Sequence, residues 1–178
     1  MKKVLTKGWI ACCAALFMVL VILDRVSKTW AANTLQGNPR VLIEGVLELR
    51  YLENTGAAWG TMQGMQWLFY ILTVVFLVLV LLEILRLRKD DRYLPLIYTL
   101  TVMSSGAAGN FIDRLTLKYV IDFVYIRLID FPIFNLADCY ITVSTAVLMI
   151  LILFRYSGAD LDYIIPGQKT EKETEKEQ

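Results

Sequence analysis

Four long apolar runs dominate this chain of 178 residues and constrain its fold more than any other feature. They predict membrane-spanning helices over residues 8–26, 66–86, 93–113 and 137–155, each near the roughly 20 residues that a bilayer's hydrocarbon core demands. The second run is the purest, ILTVVFLVLVLLEIL, with Glu83 its one charge. The third is the most polar, placing Thr99, Thr101, Ser104 and Ser105 ahead of Gly106-Ala107-Ala108-Gly109. Small and hydroxylic residues suit a helix packed among other helices better than one bathed in lipid. Of all residues 57% are apolar, against about 45–50% in soluble domains. The expected fold is a mostly α membrane protein: one domain over residues 1–165 built as a bundle of four transmembrane helices, with a disordered charged tail at 166–178.

The first run follows Lys2, Lys3 and Lys7, as a cleaved leader would. Only Gly8 to Ala11 separate Lys7 from Cys12, however, and a leader needs an apolar core of about 7–15 residues. A retained helix is the reading that fits. Orientation follows from where Lys and Arg fall. With four spans both ends share one side, which then holds eleven of the eighteen cations, including the cluster RLRKDDR between the second and third runs. That side is predicted to be cytoplasmic, leaving residues 33–65 and 115–136 outside. In the first outer segment Leu47, Leu49 and Tyr51 alternate with Glu48 and Arg50, a period of two that predicts short strands of a small sheet.

Composition narrows the chemistry. A net charge of +1 supports no nucleic-acid partner. The chain contains no histidine, which removes Ser–His and Cys–His pairs, His-ligated metals and a His-based pH switch. No metal or other cofactor is expected. Cys12, Cys13 and Cys139 read as small buried hydrophobes rather than disulfide partners. What remains is carboxylate, amide, hydroxyl and lysine chemistry.

Four carboxylates, Asp24, Asp113, Asp122 and Asp138, fall at the outer ends of the predicted helices, accompanied by Lys28, Asn54, Asn110, Arg114 and Asn135. Ionisable groups at that depth are costly and are paired or functional. Most have a plain structural alternative. Asp24 and Lys28 are spaced i,i+4, as in a local helix ion pair. Asn110, Asp113 and Arg114 share one helical face. Asn135 is placed to cap the fourth helix, with Asp138 in its first turn. Asp122 stands apart within Val120-Ile121-Asp122-Phe123-Val124, where Lys118 reaches it only if the segment is helical. Gly56-Ala57-Ala58 and the Gly106–Gly109 stretch suit tight packing or close approach to a ligand, packing being the commoner case. Two carboxylates held close share a proton, because both cannot ionise. The ionised member can then activate water while the protonated one polarises a scissile carbonyl. Spacing alone does not choose the pair. Asp122, flanked by Ile121 and Phe123, is the better holder of a shared proton, since Asp138 starts a helix whose dipole favours the carboxylate.

Five blocks in order give these residues a family likeness. Asp24-Arg25-Val26-Ser27-Lys28, Glu53-Asn54-Thr55-Gly56-Ala57-Ala58-Trp59, Gly106-Ala107-Ala108-Gly109-Asn110-Phe111-Ile112-Asp113-Arg114, Val120-Ile121-Asp122-Phe123 and Phe131-Pro132-Ile133-Phe134-Asn135-Leu136-Ala137-Asp138 resemble the blocks of the bacterial lipoprotein signal peptidases (signal peptidase II), which are membrane aspartyl peptidases. Arg25 and Ser105 depart from the family pattern. The resemblance implies Asp122 and Asp138 as a catalytic dyad. It implies substrate-binding or supporting roles for Asp24, Lys28, Asn54, Gly56, Ala57, Asn110, Asp113, Arg114, Asn135 and Ala137. It also implies an extracytoplasmic β-sheet cradle, a mobile outer arm, and a site in the bacterial cytoplasmic membrane facing outwards. The implied substrates are diacylglyceryl prolipoproteins, cut before the modified cysteine by an enzyme embedded in membrane lipid. A monomer acting downstream of the prolipoprotein diacylglyceryl transferase is the expectation. A transporter would place charges at midplane and often show internal repeats, whereas here the acids gather toward one face. A structural membrane protein has little use for an acid like Asp122.

Overall fold

The computed structural model describes residues 8–56, 66–87, 90–156 and 158–164. Helix α1 (Gly8–Leu35) runs on past the predicted span, because Asp24 and Lys28 turn inward and do not end it. Its buried residues, Trp9, Cys13, Val21, Asp24, Lys28, Ala31 and Leu35, form one stripe at helical spacing. At 1.5 Å per residue the helix extends roughly 40 Å, beyond a hydrocarbon core of roughly 30 Å. Cys13 lies on the stripe and is buried, but Cys12 is exposed and Cys139 half-buried. The expectation of three buried thiols fails for Cys12 because adjacent helical residues point about 100° apart and cannot both face the core.

Strands β1 (Arg40–Ile43), β2 (Leu47–Asn54) and β3 (Val120–Ile126) form one antiparallel sheet in that order. Gly45, at φ +70°, supplies the left-handed position in the β1–β2 turn. The sheet's core face is small: Ile121 and Phe123 of β3 pack with Ala31 and Leu35 of α1, and Leu49 and Tyr51 of β2 pack against that cluster. The strand read from the alternation around Leu49 is present, but the alternation breaks at Glu48, which is buried and paired with Arg50 and Arg127. The segment around Asp122 is extended, so Lys118 is not its partner.

Helices α2 (Gln66–Leu87), α3 (Leu94–Leu117), α4 (Leu136–Ile150, continued by a π-helical turn to Arg155) and α5 (Gly158–Ile164) complete the chain. Among the described residues three helices are long and apolar enough to cross a membrane: α1, α2 and Leu136–Arg155. The other predicted span, α3, has 24 residues but is too polar to stand with them, and it packs against α1, α2 and α4. Three of its hydroxyls are satisfied within the helix, Thr99 donating to the Pro95 carbonyl at 2.8 Å, Thr101 to Ile97 at 2.8 Å and Ser105 to Val102 at 2.7 Å. Helix α5 was not foreseen in the sequence. It docks on the α2–α3 connection through Arg92–Asp160 (2.6 Å) and a stacked Tyr93–Tyr163 pair. A second apolar core, including Trp9, Val80, Leu96, Ile97 and Tyr156, lies at that end. Between the two cores along α1 sit Asp24 and Lys28.

Candidate functional site

Asn135 precedes α4 in extended conformation and caps it, its Oδ1 accepting from the Asp138 amide at 3.1 Å. Asp138 reciprocates, its Oδ2 accepting from the Asn135 amide at 3.0 Å, which completes a capping box. The cap does more than end a helix. The Asn135 side-chain Nδ2 donates to Asp122 Oδ1 at 2.7 Å, so one residue bonds to both carboxylates. Asp122 comes from β3, and its Oδ2 accepts from Asn54 Nδ2 on β2 at 2.8 Å. Asp138 Oδ1 accepts from Asn110 Nδ2 on α3 at 2.7 Å. Asp122 is 1% exposed. Burial, and then the negative charge of Asp138, push its carboxyl up to about 6, against the pull of the Asn54 and Asn135 amides and of Lys28.

A second, fully buried cluster lies behind the first. Lys28 Nζ is 2.9 Å from Asp24 Oδ2, 3.0 Å from Asp113 Oδ2 and 2.8 Å from Asn110 Oδ1. The other Asp113 oxygen pairs with Arg25, and Asp113 also accepts from the Ile121 amide at 3.3 Å. Formally the cluster is neutral, two carboxylates against two cations. Asp24 is more than a local partner of Lys28: its Oδ1 accepts from the Ala137 amide at 3.0 Å, tying α1 to the start of α4. The glycines explain how closely α3 approaches α4 and the Asp24 side chain of α1. A Cβ on Gly106 would stand 2.5 Å from the Ala137 carbonyl, and one on Gly109 would stand 2.5 Å from Asp24 Oδ2. Packing, not ligand approach, is what this stretch serves.

The two carboxylates border a cavity of about 460 Å³, lined also by Asn54, Gly56, Arg114, Cys139, Thr142 and apolar residues of Phe131–Phe134. Arg114 parts from Asn110 and Asp113: its guanidinium sits 4.5 Å from the centre of the Phe69 ring and donates weakly to the Gly56 carbonyl at 3.4 Å. Among the described residues it has no carboxylate in ion-pair contact. The structure thus gathers Asp122, Asp138, Asn54, Gly56, Asn110, Arg114 and Asn135 at or beside the cavity, and Asp24, Lys28, Asp113 and Ala137 behind it. Ala57 lies outside the described residues. Sequence reasoning gave neither Arg25 nor Cys139 a role in the site. Arg25 meets Asp113 across 88 positions, a pairing that no local spacing signals. Cys139 does follow Asp138 directly. Because it lines the cavity, a bulky maleimide on Cys139 should block the site while Cys139→Ser leaves it working. Full activity of the maleimide-labelled protein would show that the cavity is not used.

A family model described as signal peptidase (SPase) II matches residues 16–154. The chain is 42% identical over 134 residues to the lipoprotein signal peptidase of Streptococcus agalactiae serotype Ia, covering 75% of this chain and 86% of that one. It is 36% identical over 154 residues to that of Lactococcus lactis subsp. cremoris, covering 86% and 96%. A bacterial membrane enzyme solved in meso at 2.3 Å superposes with a TM-score of 0.73 at 28% identity, over 96% of this chain and 98% of that one. A second, at 1.9 Å, gives 0.72 at 30% identity, over 88% and 99%.

Proposed function

Because this chain belongs to the signal peptidase II family of aspartic peptidases and removes signal peptides from lipoproteins, we propose that Asp122 and Asp138 are its catalytic pair. The observation that carries the assignment is Asn135, whose backbone and side-chain amides bond one carboxylate each at the edge of a single cavity. Asp138 acts as the base and Asp122 holds the shared proton. Asp138 takes a proton from water as the water oxygen adds to the carbonyl carbon before the diacylglyceryl cysteine, while Asp122 donates its proton toward the carbonyl oxygen. In the second step a proton passes to the cysteine nitrogen, the C–N bond breaks, and a carboxylic acid and a free amine leave. Asn54 and Asn110 hold the two acids, and Arg114 and the Gly56 carbonyl are placed to bind the substrate backbone. The remaining residues, Asp24, Lys28, Asp113 and Ala137, fix the helices behind them, and Ala57 belongs with Gly56.

The substrate enters sideways, since both its signal helix and its acyl chains are lipid-soluble. The phenylalanines of Phe131–Phe134 sit on an outer arm, within residues 115–136, that moves to admit it. We place α3 as a fourth span among three more apolar ones, with the sheet outside and both termini in the cytoplasm. The peptidase domain ends near residue 165, and the tail at 166–178 lies outside the described residues. The enzyme works as a monomer on prolipoproteins that a diacylglyceryl transferase has already modified. Purified protein incubated with a diacylated prolipoprotein should release, by mass spectrometry, a signal peptide ending just before the lipid-bearing cysteine. Cleavage elsewhere would refute the substrate assignment. Cysteine labelling in cells should find Gln63 and Arg127 reachable from outside and Arg88 only from the cytoplasm; a cytoplasmic Gln63 would overturn the span count.

A further inference from the structure

We infer that Lys28 is a positioning residue for the aspartate pair, holding the Asn110 amide in the one orientation that lets it donate to Asp138. This inference rests on the assignment of Asp122 and Asp138 as the catalytic pair.

Asn110 Oδ1 accepts from two donors, Lys28 Nζ at 2.8 Å and Asn135 Nδ2 at 3.1 Å. Its Nδ2 therefore points the other way, to Asp138 Oδ1 at 2.7 Å. An amide turned by 180° would set its NH2 against an ammonium and a second NH2, and its oxygen against a carboxylate. All three contacts would then be repulsive, in a place too dry for water to relieve them. The Asn135 amide is fixed in turn, since its Oδ1 takes the Asp138 amide and its Nδ2 is shared between Asn110 and Asp122. Lys28 thus stands at the head of a directed chain of donors that runs through Asn110 to Asp138, while Asn135 donates to the same Asn110 oxygen and to Asp122.

Lys28 is itself immobile. Its ammonium lies within 3.0 Å of three oxygens, pairing with Asp24 on its own helix and Asp113 on α3 and hydrogen-bonding to Asn110 on α3. Its side chain is completely buried. Arg25 occupies the other Asp113 oxygen, so the cluster carries no excess charge and Lys28 is not needed for neutrality by Asp113 alone. Beyond the two amides lie Asp138 on α4, Asp122 on β3, and Arg114 on the cavity side. A positive charge at Lys28 eases the second ionisation of the pair, in keeping with its downward pull on Asp122. A mere strut would need neither the charge nor the donor.

Two double variants separate these roles while keeping the cluster neutral: Asp24→Asn/Lys28→Gln retains a donor for Asn110 without the charge, and Asp24→Asn/Lys28→Met removes both. With a synthetic diacylglyceryl lipopeptide, the Met variant should lose about tenfold to a hundredfold in kcat with KM little changed. The basic limb of its pH profile should move up by about half a unit. The Gln variant should recover most of the kcat yet keep the moved limb. A folded Met variant with the native kcat and the native limb overturns the inference, and so does an effect confined to KM. An equal loss in both variants with an unmoved limb assigns Lys28 a structural role and likewise overturns it. The unsubstituted protein provides a reading independent of folding in the variants. The Asn110 side-chain amide protons should resist solvent exchange and shift in NMR with the midpoint of the cleavage profile. Fast exchange there rejects the locked amide. If Asp122→Asn or Asp138→Asn cleaves normally, it is the catalytic assignment that has failed instead.

Discussion

Asp122→Asn and Asp138→Asn should each remain folded and each lose nearly all cleavage, with the double variant little worse than either. Asn has the shape of Asp but neither takes up a proton from water nor donates one to a carbonyl. Non-additivity is the expected signature of two acids that act as one unit. The assay is the fraction of diacylglyceryl prolipoprotein left uncut by equal amounts of folded enzyme. Near-normal turnover by either single variant would move the search to Asp24 and Asp113. The same variants carry a signature in pH. Folding raises Asp122 from an ordinary value of 3.8 to about 6, so between those values the folded state binds more protons than the unfolded one. Wild-type stability therefore falls as pH rises through that window, and the penalty persists above it. Asp122→Asn is free of this penalty. Its stability relative to wild type should be more favourable at pH 7 than at pH 4, by on the order of 2–3 kcal/mol. The comparison between pH values cancels the fixed cost of setting an NH2 against the Asn54 or Asn135 amide. For cleavage the sign is the same: activity that needs the shared proton is lost as pH rises past the pair's upper titration.

The next largest effect is expected at the α3–α4 contact. Gly106→Ala would set a methyl 2.5 Å from the Ala137 carbonyl oxygen, 2.9 Å from Ile141 Cγ1 and 3.3 Å from Tyr140 Cβ. The first of these is backbone and cannot swing away. Gly109→Ala would set one 2.5 Å from Asp24 Oδ2 and 3.0 Å from its Cγ, and Asp24 is held in place by Lys28 and the Ala137 amide. In an unobstructed helix Gly→Ala gains about 1 kcal/mol. Here overpacking, which costs about 1–3 kcal/mol in ordinary cores, is joined by displacement of a buried ion pair or a helix start, so a loss of about 3 kcal/mol or more is expected. Because α4 carries Asp138 and its cap, cleavage should fall with stability. Gly158→Ala, with nothing within 4 Å of the added carbon, should change neither. Thermal unfolding in detergent checks all three, and a Gly106→Ala variant as stable as wild type would show that the helices stand further apart.

The apolar runs determined that this chain is a membrane protein, because nearly whole helices of Val, Leu and Ile have no other favourable solvent. The alternation through Leu47, Leu49 and Tyr51 determined a strand, and Asn135 with Asp138 three residues later determined a helix start; both signals are local and act within a few residues. The absence of histidine narrowed the chemistry to carboxylates, amides, hydroxyls and lysine, the acids at helix ends pointed to a carboxylate pair, and the ordered blocks singled out Asp122 and Asp138 by likeness. What local pattern left open, the tertiary structure decided. Asp122 chose a strand over a helix, because β3 hydrogen-bonds to β2 and packs Ile121 and Phe123 on α1. The polar third run became the helix at the centre, because the Thr99 and Thr101 hydroxyls bond back to their own turn while its glycines admit α4. Asp24 turned from a local partner of Lys28 into a tie to Ala137, 113 positions away, and Arg25 found Asp113 across 88. Spacing in a chain encodes contacts within a helix turn or across a hairpin. Contacts between helices depend on which faces pack and how closely, and only the assembled bundle fixes that.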